Sequence, residues 1–229
     1  VSRWLAARRK DALEQNARAI RDAGGTAHVL PLDLARPDDV ASAVEKLDDE
    51  SGGIDLVIAN AAIAGLAAAV PASRLTWSDV GDLLQVNVRG NIASIVPLIP
   101  RMLARGHGHI VGISSTAALG PNPRLAAYCA SKVALSYFLE GIGMELRPKG
   151  VAVTVVQPGF MRTPAADGVK DPMPFILETD EAVAIIDKAI RNRRRKITFP
   201  LALHILALVP AFLPAPIRDP LVLQATRER

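Results

Sequence analysis

Short apolar runs alternate along this chain with longer amphipathic stretches, and that alternation is what most constrains the fold. Strands connected through helices lie parallel, and a parallel sheet is covered on both faces, so its strands read as nearly unbroken Val, Ile and Leu. The pattern predicts an α/β domain built on a doubly wound parallel sheet, with strands at 27–32, 54–59, 108–114, 151–157 and 196–199. It predicts helices at 9–23, 38–50, 76–105, 125–147 and 180–194. Gly24-Gly25 is a stop signal for the first helix. Asp38-Asp39 opens the second, where carboxylates favour the positive end of the helix dipole. With 229 residues the chain can bury one good core, so residues 1–199 read as one domain and 200–229 as an apolar, proline-containing extension.

Composition narrows the function. The 27 basic residues stand against 23 acidic ones with both signs scattered, which argues against a nucleic-acid partner despite the net charge of +4. One cysteine, Cys129, excludes an intrachain disulfide and a multi-cysteine metal site and favours a cytoplasmic setting. Val1 leads into a polar, basic stretch rather than an apolar leader. His28, His107, His109 and His204 form neither HxxxH nor HExxH spacing, so they read as surface turn residues and no metal site is expected.

The chemistry concentrates in Tyr128-Cys129-Ala130-Ser131-Lys132. Residues four apart on a helix share a face, so Tyr128 and Lys132 form a phenol–ammonium pair about one turn apart. A nearby cation favours the phenolate, so the phenol pKa is expected to fall toward neutral pH, where proton exchange with a carbonyl or an alcohol is efficient. Ser115 follows the apolar run ending at Ile113, at the carboxyl end of a predicted strand, where open α/β sheets place their ligands. Ser114 is its neighbouring competitor. Taken alone, the pair is equally readable as an ordinary exposed Tyr and Lys on an amphipathic helix.

In order, Asp33-Leu34, Ala59-Asn60-Ala61-Ala62, Asn87, Ser115, Tyr128/Lys132 and Pro158-Gly159 form a set that resembles the short-chain dehydrogenase/reductase family from about Trp4 to Thr198. The resemblance implies a Rossmann-type fold and a hydride-transferring oxidoreductase. It makes Tyr128 the general acid or base, with Lys132 holding the nicotinamide ribose and lowering the Tyr128 pKa. Ser115 would bond the substrate oxygen, and Asn87 would shape a helix kink and carry a water into the proton path. Asp33 and Leu34 match the segment that receives adenine, with a turn or capping role for Asp33 as the alternative. Asn60 and Ala61 match the family's NNAG motif, from which Ala62 departs because Gly is usual there. Pro158, Gly159 and Thr163 match the segment that flanks the nicotinamide, and residues 160–178 match a substrate lid.

Arg8 and Arg9 stand where members that prefer NAD often carry an acidic residue; guanidinium groups there favour NADP(H) over NAD(H). The family's opening strand and Gly-rich phosphate turn have no counterpart, since no TGxxxGxG or GxGxxG string occurs. Ser2 to Arg9 look like the second strand and its exit, so the N-terminal βα unit reads as missing and the pattern would need about 30 further residues upstream. The expected substrate is a small-molecule secondary alcohol or ketone, apolar or lipid-like. The expected assembly is a homodimer or homotetramer through the helices at 76–105 and 125–147. The segment 191–217, basic then apolar and broken by prolines, has three readings: a flap over an apolar substrate, a subunit contact, or a peripheral membrane contact. The competing function is a non-catalytic scaffold or binding module.

Overall fold

The computed structural model describes residues 2–63, 69–163 and 173–225. Two strand–helix units open the chain: β1 (Ser2–Ala7), α1 (Lys10–Asp22), β2 (Thr26–Pro31) and α2 (Pro37–Ser51). There follow β3 (Leu56–Ala59), α3 (Trp77–Leu84), α4 (Asn91–Ala93), α5 (Leu98–Arg105), β4 (Gly108–Ile113) and α6 (Ala126–Leu146). The remainder is β5 (Val151–Pro158), α7 (Thr179–Arg191), β6 (Lys196–Phe199), α8 (Leu201–Leu208) and α9 (Ala215–Ala225). The expected elements are present, with shifted ends that have local causes. Pro37, with its φ already helical, starts α2, and Gly52 at φ +76° ends it. β3 begins at Leu56 rather than 54 because the Ile54 N–H is held by Asp48 Oδ1 at 2.6 Å. The chain leaves α7 three residues early, where Arg193 takes φ +47°.

One expectation fails outright. The stretch 76–105 is not one helix: α3 gives way to a π-helical turn at Gln85–Gly90, then to the single turn of α4, and α5 restarts after Pro97. Thr76 and Asp79 form a reciprocal capping box at its start. Pro97 lacks the N–H that a continuous helix would need.

All strand pairs are parallel, as expected, but they form two pieces instead of one sheet: β1–β2, and β3–β4–β5–β6. Among the described residues no strand lies between β1 and β3, so the inner edge of each is unpaired. The core lies around the four-stranded piece. Ile110, Val151, Val153 and Val155 face Ile95, Leu98, Met102, Leu135 and Leu139, while Val111 and Val156 face the opposite way onto Ala182 of α7 and Phe199. Alternate residues of β4 and β5 thus feed two layers, which is why both strands read as unbroken apolar runs. Gly112 is required where α6 crosses β4, since a Cβ there would collide with Leu139.

An ionic knot ties α2 to α5 beneath this core. Buried Asp48 accepts from Arg105 at 2.8 and 3.0 Å and from Arg101 at 3.3 Å. Burial alone would raise its pKa; the Arg105 guanidinium, the Ile54 N–H and Arg101 outweigh that and hold it low.

Candidate active site

In both sheet pieces the strands end at the same rim. Gly90 has no room for a Cβ because Leu34, just after β2, packs against it, and that contact joins the rim of β1–β2 to the helix bend. Asn87 in the same bend reaches the segment after β3: its Oδ1 accepts from Ile63 N at 2.7 Å and its Nδ2 donates to Ile63 O at 3.0 Å. The exits of β1, β2, β3, β4 and β5, which carry every sequence-predicted site residue except Asn87 and the Tyr128/Lys132 pair on α6, therefore border one region.

At the end of β4 the two adjacent serines separate in role. Ser114 is buried, with its Oγ donating to the Lys132 carbonyl at 2.9 Å and accepting from Ser136 Oγ at 2.8 Å. Ser115 turns outward: its Oγ accepts from Ala117 N–H at 3.1 Å and shares a hydrogen bond with the Tyr128 phenol. Tyr128 lies in the first turn of α6, and Lys132 one turn on, with Nζ 5.7 Å from the centre of the phenol ring. That side chain is 2% exposed and donates to Ile113 O at 2.9 Å. Burial pushes the Lys132 pKa down to about 8.

The expected fall in the Tyr128 pKa does not occur in this state. Burial raises it from the ordinary 10.0, and the Ser115 hydrogen bond pulls it back only in part. The reason is geometric. Lys132 Nζ is engaged with a main-chain carbonyl beside the ring instead of with the phenol oxygen, so desolvation of the phenolate dominates. At neutral pH Tyr128 is a protonated phenol, ready to donate.

Asn87, fully buried in the π-helical turn, also donates to Ser131 Oγ at 3.2 Å, so both its polar atoms are occupied by protein partners. Asn91 braces the same bend: its Nδ2 donates to the carbonyls of Ala61, Val86 and Asn87 at 2.9 to 3.1 Å, and its Oδ1 is buried without a partner. The kink attributed to Asn87 is thus built by two asparagines.

On the cofactor side, Arg8 and Arg9 are exposed between β1 and α1, and Arg9 occupies the cap position without a side-chain bond. Asp33 Oδ1 accepts from Ala35 N at 3.0 Å, so one carboxylate oxygen serves a turn, the alternative weighed for it. Asn60 is exposed and the Ala61 carbonyl is held by Asn91. The Gly159 N–H donates to Phe199 O at 2.8 Å, and a Cβ on Gly159 would strike Leu203 of α8. Thr163 is half-buried; of the lid 160–178, residues 164–172 lie outside the described residues. The remainder is pinned by an Arg162–Glu178 ion pair at 2.8 Å and by Met161 bridging to Leu177. Arg8 and Arg9 leave exposed cations at the β1 exit and Asn60 an exposed amide at the β3 exit, which fits the polar ends of a dinucleotide, whereas the Ala61 carbonyl and the Gly159 N–H are engaged within the chain. The described residues between β1 and α1 supply no cradle of glycine N–H groups for a pyrophosphate.

Three histidines depart from the surface-turn expectation. His28 is exposed but lies within β2, its ring stacked on Trp4 at 4.5 Å. His109 is buried within β4, its Nε2 sharing a hydrogen bond with Thr154 Oγ1 at 2.8 Å; burial first, then Arg193 and Arg147, push its pKa down to about 4. His204 is half-buried on α8, with Nδ1 inaccessible and unpartnered. Ser131, Ser136, Gln157 and Asn91 were missed by sequence reasoning altogether. Nothing but their placement inside apolar or catalytic stretches could have pointed to them.

The C-terminal segment packs on the rim. α8 touches β6 and the 116–118 turn after Ser115, and Leu203 rests on Gly159. The basic run from Arg191 to Lys196 precedes β6 whereas α8 follows it, so the two lie at opposite ends of that strand. Among the described residues no helix is long and apolar enough to cross a membrane. A groove of about 710 Å³ between α9 and α6, lined by Cys129, Val133, Tyr137 and Val222, opens on the face of α6 turned away from Lys132, Leu135 and Leu139.

Comparison with known proteins identifies the family of the fold. Residues 2–173 match the short chain dehydrogenase family profile. An uncharacterized oxidoreductase of Myxococcus xanthus is 37% identical over 205 residues, covering 88% of this chain and 80% of the relative. Epidermal retinol dehydrogenase 2 of Homo sapiens is 30% identical over 217 residues, 90% of this chain and 68% of that protein. The chain spans only 58% of the length of matching mycobacterial oxidoreductases. Among solved structures, a short-chain dehydrogenase from Sphingobium yanoikuyae in complex with NADPH superposes with TM-score 0.79 at 28% identity, over 99% of this chain and 86% of that one.

Proposed function

The chain belongs to the short-chain dehydrogenase/reductase family, a family of NAD(P)-dependent oxidoreductases, and from that premise we propose that it interconverts an apolar ketone and its secondary alcohol with NADP(H), using Tyr128 as the acid/base. The observation that carries the reading is the cluster of Ser115, Tyr128 and Lys132 at the rim, with the two hydroxyls hydrogen-bonded and the ammonium 5.7 Å from the ring. The nicotinamide, when bound, supplies or accepts the hydride.

The chain's own groups handle the proton. Ser115 O–H orients the substrate oxygen and Tyr128 gives it a proton in the reductive direction. Because burial keeps the phenol protonated, reduction is favoured at neutral pH, and the oxidative direction, which needs the phenolate, gains as pH rises. Lys132 and Pro158-Gly159 would hold the nicotinamide end, Asp33, Leu34, Asn60 and Ala61 the adenine end, and Arg8 and Arg9 the 2′-phosphate. Support for NADP(H) comes from the exposed arginines and from the NADPH complex of the Sphingobium neighbour. Support for an apolar substrate comes from α8, which brings Leu203 against Gly159 and leaves Leu201, Ile205 and Leu206 exposed. The retinol-named relative is consistent with it. This placement favours the flap reading of the C-terminal segment, while subunit and membrane contact stay as subordinate proposals.

A binding or scaffold module is the second reading, motivated by the unpaired edges of β1 and β3 and the lack of a Gly-rich turn. Fluorescence titration with NADPH separates the two, run on the 229-residue chain and on a form extended upstream. Binding by either form, with turnover of an apolar ketone that falls about 10³-fold in Tyr128→Phe while NADPH binding is kept, is the expected result. Absence of binding in both forms overturns the enzyme reading; retained turnover in Tyr128→Phe overturns the role of the phenol.

A further inference from the structure

We propose that Ser136 and Gln157 are positioning residues for the Tyr128–Lys132 pair, acting through a one-way chain of hydrogen bonds that ends on the Lys132 carbonyl. The inference rests on the dehydrogenase reading above. The chain begins on β6, where Thr198 Oγ1 donates to Gln157 Oε1 at 2.9 Å. Gln157 Nε2 donates to Ser136 Oγ at 3.3 Å, Ser136 Oγ to Ser114 Oγ at 2.8 Å, and Ser114 Oγ to Lys132 O at 2.9 Å. Every hydroxyl spends its single proton in the same direction. Gln157 is the link that must accept on one atom and donate from another, which an amide does and a carboxylate cannot.

Burial gives the direction its force. Ser114, Ser136 and Gln157 are 3%, 1% and 1% exposed, so a lost partner leaves a polar atom unsatisfied away from water. Packing alone does not explain an amide at this place: Gln157 follows Val151, Ala152, Val153, Val155 and Val156 in a fully buried strand, where a Leu would fill the space without desolvating polar atoms.

The consequence at the site is that β4 and its exit grip Lys132 twice. Ser114 holds the main chain through the carbonyl, and Ile113 O holds the ammonium. A parallel clamp acts one turn earlier, where Ser131 Oγ donates to the Tyr128 carbonyl at 2.7 Å and accepts from Asn87. Each main chain thus meets an extra hydroxyl, of which Ser114 comes from the end of β4 and sets α6 against that strand, while Ser131 bonds back three residues within α6 and ties that turn to Asn87. Catalytic geometry tolerates little slack, since a displacement of about 1 Å can cost on the order of 100-fold in rate.

The chain contains two tyrosines, Tyr128 and Tyr137, so ¹³Cζ-tyrosine NMR resolves them and needs no cofactor. With the ammonium 5.7 Å from its ring, the Tyr128 signal reports the Lys132 titration near pH 8. Ser136→Ala and Gln157→Leu are expected to move that step upward by about half a unit or more, as water reaches a loosened ammonium, and to leave Tyr137, 72% exposed, unchanged. Ser136→Thr, which keeps the hydroxyl, should restore the wild-type step. Thr198→Val, at the half-buried far end, is the mild variant if the others do not fold, and should shift the step the same way by less. In turnover the same variants should lower kcat about tenfold with the substrate KM little changed. An unmoved Tyr128 signal in folded variants overturns the positioning role whatever the activity. Absence of NADPH binding and turnover in both the 229-residue and the upstream-extended forms, while the shifts persist, would instead sink the dehydrogenase reading and leave the hydrogen-bond chain standing.

Discussion

Strands β4 and β5, inside the four-stranded piece, and strands β1 and β3, each at an edge of its piece, are of the same parallel kind and are supported very differently. In β4 and β5 nearly every residue is buried, with helices on both faces and neighbours on both edges. In β1 and β3, whose inner edges face no strand among the described residues, Trp4, Leu56 and Ile58 are 39%, 42% and 47% exposed. Ser115 and the Tyr128/Lys132 pair ride on the first kind of support. The Arg8, Arg9 and Asp33 that would receive the nucleotide ride on the second. The proposed proton-transfer residues thus sit where strands are paired on both edges, whereas the proposed cofactor contacts sit beside strand edges that are unpaired among the described residues.

The sharpest attempt to break this contrast is hydrogen exchange. Local opening free energies run from near zero up to the global stability, and amides flanked on both sides reach the upper end. Ile110, Val111, Val153 and Val155 should exchange at least about 10³-fold more slowly than the amides on the inner edges of β1 and β3. Uniform protection would mean that both edges are paired in solution and that the two pieces act as one sheet.

What the sequence disclosed follows the same division. Strands β4 and β5 were legible because burial on both faces leaves apolar runs, and Ser115, Tyr128 and Lys132 were legible because strand exit and helix turn fix their spacing. The bend at Gln85–Gly90 was legible only through the family resemblance, which put a kink at Asn87, because the local sequence keeps helical character. What bends it is Asn87 and Asn91 reaching Ile63 and Ala61, 24 and 30 residues away. His109 and Gln157 were hidden inside apolar strands, where their partners Thr154, Ser136 and Thr198 come from other elements. The Tyr128 pKa went the wrong way for a related reason. Spacing says that an ammonium is near, but only the fold says that it is turned to Ile113 O.

A second, smaller effect tests the well-supported half from within. Lys132 is held charged in a dry place at a cost that its depressed pKa of about 8 reflects. The sign follows from linkage: between about 8 and 10.5 the unfolded chain binds the proton that the folded chain has lost, so stability rises with pH across that window and the full cost is present below it. Lys132→Met, similar in length and uncharged, should therefore raise Tm by a few degrees at pH 7 and flatten the stability curve between pH 8 and 10.5. It should lower kcat on the order of 100-fold. Loss of activity with a lowered Tm would say that the ammonium stabilises the fold, contrary to its burial.

The smallest expected effect belongs to the weakly supported half, and it is the one that decides what that half recognises. Arg8 and Arg9 are exposed, so their attraction for a phosphate is screened by water and salt, and neither can act as a buried clamp. Even so, a guanidinium bond to a phosphate dianion is charge-assisted, while the 2′-hydroxyl of NADH offers no such charge. Replacing both with Glu should weaken NADPH about tenfold and leave NADH within about twofold, with the NADPH effect shrinking as ionic strength rises. An equal loss for both dinucleotides would indicate a general disturbance of the β1 exit. If neither changes, the arginines are solvated helix-start charges and the phosphate is received elsewhere. The contrast would then sharpen, because the two-stranded piece would be left with Asp33 and Leu34 as its only contribution to the cofactor.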